Sequence, residues 1–596
     1  MSDYVAPLKD MQFVLKELAG LDQIAKLPGC DDVNAELVEQ ILEESGKFCS
    51  EVLSPLNQSG DREGSQWSDG RVTTPKGFIE AYRQFVEGGW NALQFPSEFG
   101  GQELPKLVAT PVMEMWKAAN LSFSLCPLLT GGAIEALLLC GSDALKKTYL
   151  PKMVEGTWTG TMNLTEPQAG SDLALVKAKA IREADHYRIS GQKIFITYGE
   201  HDLAENIVHL VLARTPDAPE GVKGISLFVV PKFLVNADGS LGKRNDVHCA
   251  SIEHKLGINA SPTAVLIYGE KEGAVGYLVG EENHGMAYMF IMMNAARFAV
   301  GMEGVAISER AYQMARAYAK QRIQSRDLAG GAKPVPIIRH PDVRRMLMLM
   351  KAQTEAMRSL AYVVAAAMDI ARRDPDKALR AKHQAFVDMM IPVVKGWSTE
   401  ACIEIASIGI QVHGGMGYIE ETGAAQLLRD ARITTIYEGT TAIQANDLVG
   451  RKVAREGGAT AREAIKAMRV VEGELAQASG EDMAAIGAAL NSGIRSVEDC
   501  VAWIVAAYPT DMKAVHAGSV PFLKLMGIVC GGWQMARAAL VAQKRLAAEE
   551  GDAAFYRTKI ATVRFYADHI LVQAPGLRNT VVRGAAGVMA LDEEQF

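Results

Sequence analysis

The chain has 596 residues, 48 % of them apolar and 22 % charged, and carries a formal charge of −8 at pH 7. This balance belongs to a multi-domain globular protein, not a disordered one, and it argues against nucleic acid as a partner, because that affinity rests on clustered Lys and Arg. Eight cysteines lie scattered without a C-x-x-C pair, a pattern of buried thiols in a reducing compartment that lacks zinc or redox spacing.

The N-terminus "MSDYVAPLKDMQF" has Asp3 and Asp10 where an export signal would be basic. No uninterrupted apolar run reaches the roughly eighteen residues that a bilayer span needs, so a cytoplasmic protein without membrane insertion is expected. Residues 1–35 read as an N-terminal extension. From 36 to 157 apolar residues recur at three- and four-residue spacing, as in "GFIEAYRQFVEGGWNAL", and predict a helical domain. Between 158 and 285 the texture changes to the alternating and β-branched runs "HYRISGQKIFIT", "NIVHLVLAR", "GISLFVV" and "TAVLIYG", separated by turn residues, which predict a β domain. Helical periodicity resumes over 286–450, with breaks at "LAGGAKPVP" and "HGGMGY". An Ala-rich helical block fills 451–596, with seventeen basic against sixteen acidic residues, so it is no cationic arm. The expected class is α+β, mostly α: helical domain, central β domain, helical bundle, then an additional helical domain.

Several chemistries have no support. There is no G-x-x-x-x-G-K-[ST] loop, no G-x-G-x-x-G after a strand, no H-E-x-x-H and no G-x-S-x-G. His413, in "QVHGGMGY", has no second ligand nearby, and no metal is expected. Two polar stretches remain. In "MNLTEPQAGSDLA", residues 162–174, the Pro, Gly and Asp suit a turn, while a Gly-containing loop can also present N–H groups to a flavin or phosphate. In "IYEGTTAIQ", residues 436–444, Glu438 directly precedes Gly439, which by itself describes a solvated acid at a helix end.

Taken in order, "LQFPSEFGG", "MNLTEPQAGSD", "GQKIFIT", "QVHGGMGY" and "LLRDARITTIYEGTTAIQ" resemble the acyl-CoA dehydrogenase family from about Leu93 to Gly450. The longer N-terminus and residues 451–596 resemble its long members, the 3-methylmercaptopropionyl-CoA dehydrogenase-like ones. The resemblance implies an FAD enzyme of fatty acid β-oxidation that converts an acyl-CoA into a trans-2-enoyl-CoA, with Glu438 as the α-proton base and flavin N5 as the hydride acceptor. Its backbone N–H, with a flavin ribityl hydroxyl, would hold the thioester oxygen. Some relatives carry the base immediately before the arginine that corresponds to Arg297. That position is Ala296 here and accepts no proton.

The same resemblance implies flavin contacts at Met162, Leu164, Thr165, Gly170, Ser171, Phe195 and Thr197, with Phe195 in place of the commoner Trp. It implies an adenosine contact at Thr440, and Arg322, Gln411, Gly414 and Gly415 reaching the pyrophosphate of a neighbouring subunit, hence a homodimer. The linker after Arg322 is longer than usual, and Ala442 replaces a frequent glutamine. Ser171, Asn294, Arg297 and Gly439 are the implied substrate contacts. Electrons would pass to electron-transfer flavoprotein. Two rival readings share the fold, an acyl-CoA oxidase that uses O2 and a non-catalytic flavin-binding relative.

Overall fold

Where β-branched and aromatic residues alternate, the chain pairs into an eight-stranded sheet, seen in a computed structural model that describes residues 4–596. The strands are β1 (Gln66–Ser68), β2 (Arg71–Thr73), β3 (Trp158–Asn163), β4 (Lys179–Arg182), β5 (Tyr187–Thr197), β6 (Asn206–Ala213), β7 (Ser226–Pro231), β8 (Phe233–Val235), β9 (Leu241–Arg244), β10 (Val247–Ile252), β11 (Thr263–Tyr268), β12 (Ala274–Leu278), β13 (Ile323–Arg326) and β14 (Pro334–Pro336). The large sheet runs β10-β11-β5-β12-β7-β6-β3, with β4 also on β5. Its β3–β6 pair is parallel and its other pairs antiparallel. Strands β6 and β7 are buried at every position, their largely apolar residues packed on both faces. Along β6, Val208, Leu210 and Leu212 join one core cluster with Ala133, Ile134 and Leu137, while Val211 and Ala213 join another with Phe228 and Val230. This period of two makes the sheet the wall between two cores.

The fold is α+β and mostly helical. Two compact units divide the chain, one made of residues 47–104 and 119–299, the other of 4–46, 105–118 and 300–596. The first holds the sheet and the helix Leu121–Cys140, which lies so close to β3 that a Cβ on Gly160 would stand 2.6 Å from the Ala133 methyl. The second holds the long helices Pro341–Arg373, Lys377–His413, Glu481–Ala507, Ser519–Ala547 and Ala553–His569, together with residues 300–321 of the helix Gly285–Gln321. Gly527 lets helix Ser519–Ala547 close on buried Trp397, since a Cβ there would meet the indole at 2.2 Å.

Two hairpins depart from the helical expectation. β1–β2 turns at Asp69–Gly70, both with positive φ, which is the Asp-Gly signature of a tight hairpin. β13–β14 forms from the Gly- and Pro-rich linker after Arg322. Three helices are more apolar on average than their interrupted runs suggest. Helices Leu121–Cys140, Gly285–Gln321 and Ser519–Ala547 are long and apolar enough by length and composition to cross a membrane, because isolated polar residues break each run without lowering its average much. Most of the most apolar eighteen-residue window of each is buried inside the protein.

Candidate active site

Glu438 stands in the short connection between the 3₁₀ turn Arg432–Thr435 and the helix Thr441–Asp447. Glu438 has φ +54° and Gly439 φ +86°, two consecutive left-handed residues, a conformation easy for glycine and costly for glutamate. Three contacts hold it. Lys395 Nζ, from helix Lys377–His413, donates to Gly439 O at 2.7 Å. The Gln444 amide donates to Glu438 O at 3.1 Å and Gly439 O at 3.2 Å. The Tyr437 hydroxyl donates to the Glu303 carboxylate, which also pairs with Lys117 Nζ at 3.4 Å. Burial, reinforced by Glu303, raises the Tyr437 pKa, so it stays a phenol donor. Burial also lowers the Lys117 pKa, against the pull of Glu303. The Glu438 side chain is half-buried. Thr440 caps the following helix, its hydroxyl accepting from Ile443 N–H at 3.4 Å. Ala442 lies in the first turn of that helix.

In the other unit, the loop after β3 is stapled to β5. Ile194 N–H donates to Thr165 O at 3.0 Å, and Lys193 Nζ donates to Leu164 O at 3.0 Å and to Glu166 Oε1 at 2.8 Å. Glu166 also accepts from the N–H groups of Lys177 at 2.7 Å and Ala178 at 3.0 Å. Burial opposes the charge on Glu166, but Lys193 and the N–H donors together lower its pKa. Beside this staple a β-bulge reshapes β5. Ala264 faces Ile196 and Leu266 faces Lys193, so Ile194 and Phe195 together oppose Val265. Phe195 takes φ +60° and is left 58 % exposed. Met162 is buried on β3, Leu164, Thr165 and Thr197 are half-buried, and Gly170 and Ser171 are exposed, with open space where a Gly170 Cβ would be. An outward aromatic ring beside a loop with room above its backbone fits a flat, hydrogen-bonding cofactor such as a flavin. Asn294 is half-buried and Arg297 buried on helix Gly285–Gln321, with the buried methyl of Ala296 between them.

The segments that carry four further predicted residues are joined by one ring contact. The Tyr318 ring packs on His413 at 4.5 Å between centroids, which sets Arg322 near the turn that carries Gln411, Gly414 and Gly415. All four are exposed, and nothing lies within 4 Å of a Cβ built on either glycine. Gly414, at φ +61° and ψ −143°, ends helix Lys377–His413 in a conformation open to glycine alone. His413 engages Gly409 O through Nδ1 at 2.7 Å, and among the described residues no group of three His, Cys, Asp or Glu side chains is placed to hold a metal.

Family models match along most of the chain: acyl-CoA dehydrogenase N-terminal domain over residues 36–157, middle domain over 161–269 and C-terminal domain over 283–453, then acetyl-CoA dehydrogenase C-terminal like over 461–592. The chain belongs to the acyl-CoA dehydrogenase family. As an acyl-CoA dehydrogenase it is an oxidoreductase, and FAD is the cofactor of the family. It is 52 % identical over 578 residues to the 3-methylmercaptopropionyl-CoA dehydrogenase of Ruegeria pomeroyi, covering 96 % of each chain. It is 35 % identical to a butyryl-CoA dehydrogenase of Syntrophomonas wolfei, covering 100 % of this chain and 99 % of the relative. The solved acyl-CoA dehydrogenase of Bacillus anthracis, complexed with FAD, shares the fold at a TM-score of 0.74 and 21 % identity, over 96 % of this chain and 91 % of that one.

Sequence patterns did not single out the contacts of Lys395, Gln444, Glu303 and Tyr437 around Glu438, or of Lys193 with Glu166 under the β-domain loop. Tyr437, Gln444, Glu166 and Lys193 lie inside the quoted motifs, whereas Lys395 and Glu303 do not.

Proposed function

We propose that the protein oxidises an acyl-CoA thioester at its α and β carbons, with Glu438 as the base, to give the trans-2-enoyl-CoA. The observation that carries this reading is the left-handed pair Glu438–Gly439, held by donors from two helices, in a chain where the alternative base position is Ala296. A carboxylate kept in a strained conformation by its surroundings is expected where function requires it. Glu438 takes the α-proton, made acidic by the adjacent thioester carbonyl, and its backbone N–H steadies the oxygen on which negative charge develops. Bound FAD supplies the acceptor for the β-hydride. Met162, Leu164, Thr165, Gly170, Ser171, Phe195 and Thr197 would hold the ring, with Phe195 offering its face and the loop its polar groups. Thr440 would meet the adenosine end. Ser171, Asn294, Arg297 and Gly439 would contact the substrate.

The named relatives act on short acyl groups, one of them a thioether, and a short acyl-CoA is the proposed substrate class. Arg322, Gln411, Gly414 and Gly415 are proposed to complete the FAD site of a second copy in a homodimer. Met416, Ile419 and Tyr418, the last 84 % exposed, give that turn an apolar surface which a second copy would cover. Electrons are proposed to leave to electron-transfer flavoprotein, because the chain has no Cys pair or cluster spacing for an onward route. The division into an N-terminal extension and four domains, with boundaries at residues 36, 158, 286 and 451, is proposed with this reading.

The test is anaerobic stopped-flow reduction by butyryl-CoA and 3-methylmercaptopropionyl-CoA. Glu438→Gln should keep flavin and substrate binding and lose at least on the order of 10²-fold in reduction rate. Bleaching at the wild-type rate would place the base elsewhere. Reoxidation by O2 alone with stoichiometric peroxide would make the enzyme an oxidase.

A further inference from the structure

We infer that Lys395 is a positioning residue for the base, its buried ammonium holding the Glu438–Gly439 loop in the geometry that aims the carboxylate. This rests on the reading of Glu438 as the base. Lys395 lies in the interior of helix Lys377–His413 and is fully buried. Taking an ammonium out of water costs several kcal/mol unless it is well engaged, so a buried lysine marks a position where the charge has a task. Here Nζ reaches across 2.7 Å to the carbonyl of the residue next to Glu438. That is a charge-assisted hydrogen bond, shorter and stronger than a neutral one.

The second donor on the same carbonyls clarifies the design. Gln444 Nε2 bridges Glu438 O and Gly439 O, so Lys395 and Gln444 together fix two successive peptide planes. Without them Glu438, at φ +54°, would relax toward the ordinary right-handed or extended regions. Rotation of either peptide plane re-aims the Glu438 side chain. The Tyr437–Glu303 contact anchors the residue before the base but leaves those two planes free to turn. A misplacement of about 1 Å can cost about 10²-fold in rate without weakening binding.

Lys395→Met keeps the length and apolar stem and removes the donor. With the holoenzyme, reduction at saturating butyryl-CoA should slow by about 10- to 100-fold, while the Kd for crotonyl-CoA changes less than about 3-fold and flavin content stays full. The α-deuterium isotope effect should remain full or grow, because proton abstraction is the step that suffers. Folded, flavin-loaded Lys395→Met reducing within 2-fold of wild type would overturn the inference. If Lys395→Met does not fold, Gln444→Leu, which removes the other donor, is measured in the same way: slowed reduction with unchanged crotonyl-CoA affinity supports the inference, and wild-type reduction overturns it. Glu438→Gln is run in parallel. If it reduces at the wild-type rate the base reading itself falls. If it is inactive while Lys395→Met is normal, only the positioning role falls.

Discussion

Glu438, Phe195 and Tyr198 are non-glycine residues in left-handed backbone, at φ +54°, +60° and +50°, and each lies at or next to a position proposed to meet base, ring or cofactor. Such residues persist where neighbours over-determine them. For Phe195 the neighbour is Lys193, whose ammonium ties β5 to Leu164 O and Glu166. Lys193 is fully buried, and burial pushes its pKa down to about 8 against the pull of Glu166. Lys193→Met should weaken FAD binding by about tenfold or more, and breaking a buried pair should lower stability by about 3 kcal/mol. Flavin fluorescence titration and urea unfolding read these separately. Lys193→Met with Glu166→Gln should recover part of the stability without restoring flavin affinity. The contrast between these residues and Glu438 explains what the sequence could show. Glu438 and the 162–172 loop are legible because their chemistry is local to one run of residues. Lys193 is 27 residues from Glu166, Lys395 is 44 from Gly439 and Glu303 is 134 from Tyr437, so their roles arise only when packing brings them together.

At the scale of elements, strand β3 makes a pair of buried histidine contacts, one to His209 on β6 and one to His201 in the segment before it. Thr161 Oγ1 meets His209 Nδ1 at 2.7 Å, and Thr159 Oγ1 meets His201 Nε2 at 3.0 Å. His201 Nδ1 accepts the Leu203 N–H at 3.1 Å, which leaves Nε2 to carry the proton in the neutral ring. A second proton would face that N–H, and burial and the cation of Lys232 hold both imidazoles down at about 3. The folded β domain therefore refuses protons that the unfolded chain begins to take below about 6.5. Stability from this source is complete above pH 6.5 and is lost as pH falls toward 3. Between pH 7 and 5 unfolding should become easier by about 2 kcal/mol per histidine, and His209→Asn should remove about half of that slope in urea titrations at the two pH values. The alternation along β5, β6, β7 and β11 made these strands legible. The hairpins β1–β2 and β13–β14 were hidden because two or three exposed residues on each side of a turn give no periodicity to count.

For the molecule as a whole, the informative feature is a buried network in the helical unit. Arg358 donates to Asp10 at 2.7 Å, to Glu114 at 2.6 Å and to Glu309 at 2.8 Å, and Tyr362 donates to Glu114 at 2.7 Å. Lys559 joins Asp10 to Glu355, which also holds Lys351. Burial would raise the Asp10 pKa, but Lys559 and Arg358 hold it well below the usual carboxylate range. Asp10→Ala should cost about 3–5 kcal/mol by leaving two cations under-compensated in the interior. Differential scanning calorimetry should show the loss in the helical unit, with faster proteolysis of residues 4–24; an unchanged Tm would mean that Glu355 and Glu309 suffice. In the sequence Asp10 looks like any surface acid until Lys559, 549 residues away, stands beside it. That separation also sets a timetable. Synthesis at about 5–20 residues per second leaves Asp10, with Met11, Phe13 and Leu15 around it, waiting roughly half a minute to two minutes for the Ala553–His569 helix to leave the ribosome. Phe13 packs on Phe555 at 5.5 Å, so its final partner is among the last residues made. During that interval the first apolar segment of the nascent polypeptide waits without its final partner, and a message truncated before codon 555 yields a product whose beginning never finds its end.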